Sequence, residues 1–219
     1  MMDRAMIEYI VKGIFETIIM ILGGTGIGYL IGLPMGITLA VTDKNGIAPQ
    51  PTVYRMLDVI CNTIRSIPFI ILLILLIPFT KLIVGKSYGT EAIIVPLVVC
   101  CAPYIGRVVE SSLKEVDPGV IEAARSMGAS KWDIIFKVML VEARTSLIVN
   151  ATITTGAVLG YTAMAGTVGG GGLGAIAIQY GYYRWNTLIM LITVVLIMLL
   201  FQIIQTVGMR IADRFDHRK

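Results

Sequence analysis

The chain has 219 residues, of which 56% are hydrophobic and only 15% charged, with a formal net charge of +4. Soluble globular domains carry roughly a quarter charged residues, so this balance excludes an ordinary water-soluble enzyme and points to a polytopic membrane protein. Cys61, Cys100 and Cys101 fall in or beside apolar runs and the lone histidine is His217, so neither redox nor metal chemistry is expected.

Five charge-free windows follow one another, at residues 17–42, 66–80, 92–106, 145–183 and 185–209. A bilayer span needs about 20 mainly apolar residues. With flanking residues included, the windows predict spans at 14–41, 56–79, 91–109, 144–166 and 185–209, separated once by a polar region at 110–143. The expected fold is an all-α membrane protein of about five transmembrane helices, and residues 1–219 form a single membrane domain. The first apolar run is too long for a cleaved signal, and no small-residue cleavage site follows it.

In the first span Gly24, Gly28, Gly32 and Gly36 recur every four residues. That spacing lines one helix face with small residues, which lets a second helix approach closely in lipid. It does not fit the G-x-G-x-x-G of a dinucleotide fingerprint. Pro34 is expected to kink or break this helix. The second span reads RSIPFIILLILLIPF, with Pro68 and Pro78 around an apolar run and Arg65 at its cytoplasmic boundary, placed to snorkel. The Gly-Lys-Ser at 85–87 is no phosphate loop, because Thr80 stands where that motif requires glycine. Pro96 and Pro103 predict a bend in the third span.

The polar region writes two short helices. Asp117 followed by Pro118 is an N-cap with proline at the first helical position. Val120, Ala124 and Met127 share one face by spacing, with Glu122, Arg125 and Ser126 turned away. Gly128 suits a left-handed helix stop. Ser130 and Asp133 then form a capping box for a second helix through Ile134, Ile135 and Val138. Such a pair serves either as an interfacial anchor, with Trp132 at headgroup level, or as a docking handle for a soluble partner.

Beyond the fourth span, GTVGGGGLG cannot sustain a regular helix, since each glycine costs about 1 kcal/mol relative to alanine. Its uncharged flanks favour a pore-side or re-entrant element over a free external loop. Orientation follows the cations. With five spans, thirteen Lys and Arg fall on the side of the polar region and five on the other. The positive-inside rule makes the richer side cytoplasmic, with the N-terminus outside and the C-terminus inside. The net charge therefore calls for no nucleic-acid partner.

The heptapeptide EAARSMG at 122–128 resembles the EAA loop of ATP-binding-cassette importer permeases, in which Glu-Ala-Ala precedes a glycine by three intervening residues. The family commonly closes this region with Leu-Pro, where this chain has Leu140 and Val141. RSIPFIILLILLIPFTKLIVG, VEARTSLIVNATITTGAVLGYTAMAGTVGGGGLG and QYGYYRWN are similar to the methionine-uptake permeases, nearly end to end. The resemblance implies a type I ABC importer permease fold with a cytoplasmic coupling-helix hairpin, in a prokaryotic cytoplasmic (inner) membrane. It implies a methionine path in a homodimer surrounded by membrane lipid, served by two copies of a cytoplasmic ABC ATPase and an extracytoplasmic methionine-binding protein. ATP and Mg would belong to the ATPase, leaving this chain with no cofactor, no metal and no catalytic residue. Glu122, Ala123, Ala124 and Gly128 would engage the ATPase. Tyr161 and Met164, one turn apart, would form a pathway gate, although the same spacing also describes plain packing. A permease for another amino acid, an ATP-independent secondary carrier and a structural subunit are the alternatives. Charge-free spans speak against the carrier, which usually holds intramembrane acids.

Overall fold

In the computed structural model the described residues are 4–215, and all their regular elements are helical. They are α1 (Arg4–Thr42), α2 (Pro51–Ser66), α3 (Phe69–Leu75), α4 (Ile77–Val84), α5 (Thr90–Lys114), α6 (Pro118–Ser126), α7 (Lys131–Asp133), α8 (Leu140–Glu142), α9 (Arg144–Ala165), α10 (Gly172–Ile176) and α11 (Thr187–Phe215). Wider π turns occupy Ile134–Met139 and Ala177–Tyr182, and a 3-10 turn occupies Gly166–Val168. His217, Arg218 and Lys219, which entered the sequence reading, lie outside the described residues.

The glycine stripe decides the architecture. Gly24, Gly28, Gly32 and Gly36 are all buried, and α1 presses them against α5. A Cβ added at Gly32 would lie 2.7 Å from the Ala102 carbonyl oxygen, and one at Gly36 would lie 2.5 Å from that of Gly106. The two backbones are in near contact, as small-residue faces permit in lipid. Around this pair a continuous core gathers Met20, Leu97, Ile105, Val109 and Leu113 with Val158 of α9.

Among the described residues four elements are long and apolar enough to cross a membrane: α1, α5, Arg144–Val168 and α11. The expected span at 56–79 differs from a straight rod. It is divided into α2, α3 and α4, with α2 and α3 meeting at 102°. Proline explains the first break. Ile67 takes the extended conformation (φ −86°, ψ 125°) imposed on a residue before proline, and Pro68 then caps α3. Pro78 instead stands inside the first turn of α4, where its missing N–H is harmless, and the break before it falls at Leu76 (φ −85°, ψ 1°). Pro34, Pro96 and Pro103 behave otherwise, since α1 and α5 run through them unbroken. These two helices are packed on each other along their length, so tertiary contacts hold the backbone across the lost hydrogen bond.

The glycine run is packed against protein over most of its length: Gly170, Gly172 and Gly174 are buried, while Gly169 is exposed. Gly169, Gly171 and Gly172 have φ of +84°, +79° and +75°, a left-handed geometry that side chains resist. The run folds against the end of α9, where a Cβ on Gly174 would lie 2.4 Å from the Ala163 carbonyl oxygen. Its backbone is satisfied by α1. The Gly172 N–H donates to Glu16 Oε2 at 2.7 Å and the Leu173 N–H to Thr17 Oγ1 at 2.9 Å. Glu16→Ala removes the acceptor of a charge-assisted bond and is expected to destabilise the chain by about 1–3 kcal/mol. Glu16→Gln, which keeps an acceptor oxygen, should lose less. Thermal unfolding in lipid nanodiscs checks this, and an unchanged midpoint in Glu16→Ala would count against the clamp.

Candidate functional site

Three residues after α5 ends, the chain turns into α6. Asp117 Oδ1 accepts the Gly119 N–H at 2.7 Å, and Pro118 occupies the first turn, as the sequence predicts. The far end closes through two bonds around Gly128, whose φ is +82°. The Gly128 N–H donates to the Arg125 carbonyl at 3.0 Å, and the Ala129 N–H reaches back to that of Ala124 at 3.1 Å. This paired pattern is a Schellman stop, and its left-handed residue is the reason glycine stands there. The nine-residue α6 is thus bounded at both ends by its own sequence.

The face expected from Val120, Ala124 and Met127 is divided. Ala124 is buried, but Val120 is 40% and Met127 83% exposed. The inward stripe runs instead through Ile121 and Ala124, with Arg125 beside it donating to the Ile47 carbonyl at 3.3 Å. The reason is tertiary. Ile47, Val116 and Met139 furnish the core beneath α6, which meets the flank between Ile121 and Arg125. A cleft of about 520 Å³ opens there, lined in part by Asp43, Lys44, Glu122 and Arg125. Glu122, Ala123 and Gly128 are exposed, so three of the four predicted coupling residues face outward and Ala124 anchors the helix.

The second helix begins at the predicted capping box. The Asp133 N–H donates to Ser130 Oγ at 3.2 Å, and the Ser130 hydroxyl donates to Asp133 Oδ2 at 2.5 Å. Lys137 lies 2.6 Å from Asp133, and it and Ser130 hold the Asp133 carboxyl down at about 2. The helix then widens to a π turn. Its i→i+5 pattern suits the burial of Ile134 and Met139, five residues apart. Trp132 stacks on Phe136 with centroids 5.9 Å apart, and both are exposed. Met127 is likewise exposed, so the hairpin leaves these three large apolar side chains uncovered. Val141 stands where the family commonly has proline, and between α8 and α9 the helical pattern is interrupted only at the buried Ala143 (φ −79°, ψ −3°).

Tyr161 stacks on Phe69 of α3 at 4.7 Å between centroids and 23° between planes. Met164, one turn further along α9, is half exposed. The structure therefore ties Tyr161 to the bent second span and leaves Met164 facing outward.

A polar ladder escaped the sequence reading. Arg107, Glu110 and Lys114 stand one turn apart near the end of α5. Glu110 is 4% exposed and accepts from Arg107 and Lys114, each at 2.7 Å, and from the Tyr54 hydroxyl at 3.1 Å. Arg107 also pairs with Asp58 and donates to Asn62 Oδ1 at 3.0 Å. Lys114 reaches Asp43 at 2.9 Å, and the Asn45 N–H, with Lys114, holds the Asp43 carboxyl below its ordinary range. The i, i+3, i+4 spacing of charge at 107–114 was the available signal.

A helical membrane subunit with a capped, outward-facing helix between its second and third long spans has the type I ABC importer permease fold. Residues 32–218 match the family described as the binding-protein-dependent transport system inner membrane component, and the chain belongs to that family. The probable D-methionine transport system permease protein MetI of Vibrio cholerae is 43% identical over 211 residues, covering 96% of this chain and 94% of the relative. The D-methionine transport system permease protein MetI of Escherichia coli K12 is 47% identical over 165 residues, or 75% of this chain and 76% of the relative. A solved inward-facing structure of the MetNI methionine ABC transporter superposes with a TM-score of 0.97 at 45% identity, over 99% of this chain and 100% of the other. An amino acid ABC transporter crystallised with histidines shares the fold, with a TM-score of 0.73 at 18% identity and 100% coverage of both chains.

Proposed function

We propose that this chain is the permease subunit of an ATP-driven methionine importer, itself without catalytic residues, and that it transports as a homodimer. The carrying observation is the likeness to the MetNI methionine transporter over the whole described chain, at 45% identity. The exposed Glu122, Ala123 and Gly128 support a docking role for α6. In this reading Glu122, Ala123, Ala124 and Gly128 form the contact with two copies of a cytoplasmic ABC ATPase, which hold ATP and Mg. An extracytoplasmic protein delivers methionine. The excess of cations around the hairpin supports a cytoplasmic hairpin in this reading, with the N-terminus outside and the C-terminus inside.

The short α6 suits this work. Its exposed alanine lets a partner approach closely, and Glu122 offers a charge-assisted acceptor to it. Nucleotide-driven closure of the ATPases would favour one arrangement of the two hairpins, and the spans follow that preference. Affinity capture of the tagged chain from membranes, with partners identified by mass spectrometry, tests the class. Methionine-stimulated ATP hydrolysis with the delivery protein present tests the substrate. A capture without any ATPase, even after crosslinking from cysteine placed in α6, would reject the reading. Stimulation by a different amino acid would redirect the substrate alone.

Tyr161 and Met164 serve as the gate in this scheme, one ring stacked within the chain and one flexible thioether left exposed. Met164→Ala is expected to raise the passive methionine leak of sealed vesicles without nucleotide. A leak equal to wild type would remove Met164 from the gate.

A further inference from the structure

The helix α2 is held to the rest of the chain in an unusual manner. Among the described residues it buries Cys61 alone, while Met56, Val59 and Ile60 are exposed. Its ties are polar: Tyr54 to Glu110, and Asp58 and Asn62 to Arg107. The Cys61 thiol adds a contact to Met35 Sδ at 3.3 Å. These partners sit on α5 just before it leads into α6. A second route joins the same ladder to α6, because Arg125 bonds Ile47 in the loop whose Asp43 holds Lys114. At its other end α2 passes through the bend at Pro68 to Phe69, which lies on Tyr161.

We propose that the ladder of Asp58, Arg107, Glu110, Lys114 and Asp43 is a strut that carries displacement of α6 to α2, and through the Pro68 bend to the contact of Phe69 with Tyr161. The proposal rests on the importer reading and deepens it by naming positioning residues. Ion pairs of this kind are weak providers of stability, since apolar residues of similar volume often hold a fold as well. Their attested use is to fix register. Glu110 sits between two cations, Arg107 between Asp58 and Glu110, and Lys114 between Glu110 and Asp43, so the row alternates in sign and each link is held by its neighbours. Such a row passes on a shift along α5, whereas a greasy contact lets α2 slip. The three-residue connection from Lys114 to Pro118 leaves little slack at the α6 end.

The test uses the full transporter, with its ATPase and delivery protein, in proteoliposomes, and reads ATP hydrolysed per methionine imported. Asp58→Asn removes the charge at the α2 end, and Tyr54→Phe removes a single hydroxyl. Each is expected to keep the ATPase bound while raising that ratio about fivefold or more, the lower range of ordinary coupling effects. Asp58→Glu should restore it. An unchanged ratio, a parallel fall of uptake and hydrolysis, or loss of the assembled complex in Asp58→Asn would each overturn the strut. A wild-type chain that binds no ATPase would instead overturn the importer reading, and that is seen before any variant is compared.

Discussion

Gly36→Val is expected to prevent accumulation of folded permease. A Cβ at this position would lie 2.5 Å from the Gly106 carbonyl oxygen and 2.6 Å from Val109 Cβ. The first of these is backbone within a long helix and cannot turn aside as a flexible side chain does. Overpacking typically costs about 1–3 kcal/mol and more where backbones must part. Removing a glycine from a helix returns only about 1 kcal/mol. Parting α1 from α5 would also open the core around Leu97, Ile105 and Val109. Gly26→Ala is the matched control, because it lies on the same helix with nothing within 4 Å of the added carbon. Size-exclusion profiles and thermal unfolding in detergent should show Gly36→Val aggregated and Gly26→Ala as stable as the parent or slightly more so. A monodisperse Gly36→Val with the parent's midpoint would show that the glycine stripe is not the fold's close contact.

Gly128→Val is expected to leave the chain inserted and folded while abolishing methionine-driven hydrolysis. Space is not the issue, since nothing lies within 4 Å of an added Cβ. The φ of +82° is the issue. The left-handed region costs an L-residue about 1–2 kcal/mol, and a β-branched one is a true outlier there. The local escape is to unwind the stop, which breaks the two bonds to Arg125 and Ala124 and re-aims α6. Asparagine tolerates this conformation, so activity should rank Gly, then Asn, then Ala, then Val. Transport and hydrolysis assays on the four chains check the order. A valine variant as active as the asparagine one would detach the Schellman stop from coupling.

The parts readable from the sequence were those set by spacing of a few residues. The glycines of α1, the caps at Asp117 and Ser130 and the stop at Gly128 each act within one or two turns, and each is found where predicted. The glycine run interrupts regular helix as its composition predicts, with three of its residues in the left-handed region. What escaped depends on distant partners. Val120 and Met127 have the right period for a buried face, but the core under α6 is built from Ile47 and Met139, far off in sequence. The ladder around Glu110 joins Tyr54 and Asp58 to α5 across about fifty positions. Proline was ambiguous for the same reason. Pro68 breaks a helix with little to lean on, whereas Pro34 and Pro103 sit in helices clamped by a neighbour.

The clamp of Glu16 and Thr17 on α10 has a mechanical corollary. Because α1 is also seated backbone to backbone on α5, the glycine turn and the far end of α5 belong to one frame. Interlocked carbonyls and Cβ positions resist shear, so this frame behaves as a stator. The chain departs from this frame at Pro68, where α2 and α3 meet at 102°. A rearrangement that swings α2 about this bend is therefore expected to leave the frame itself unchanged.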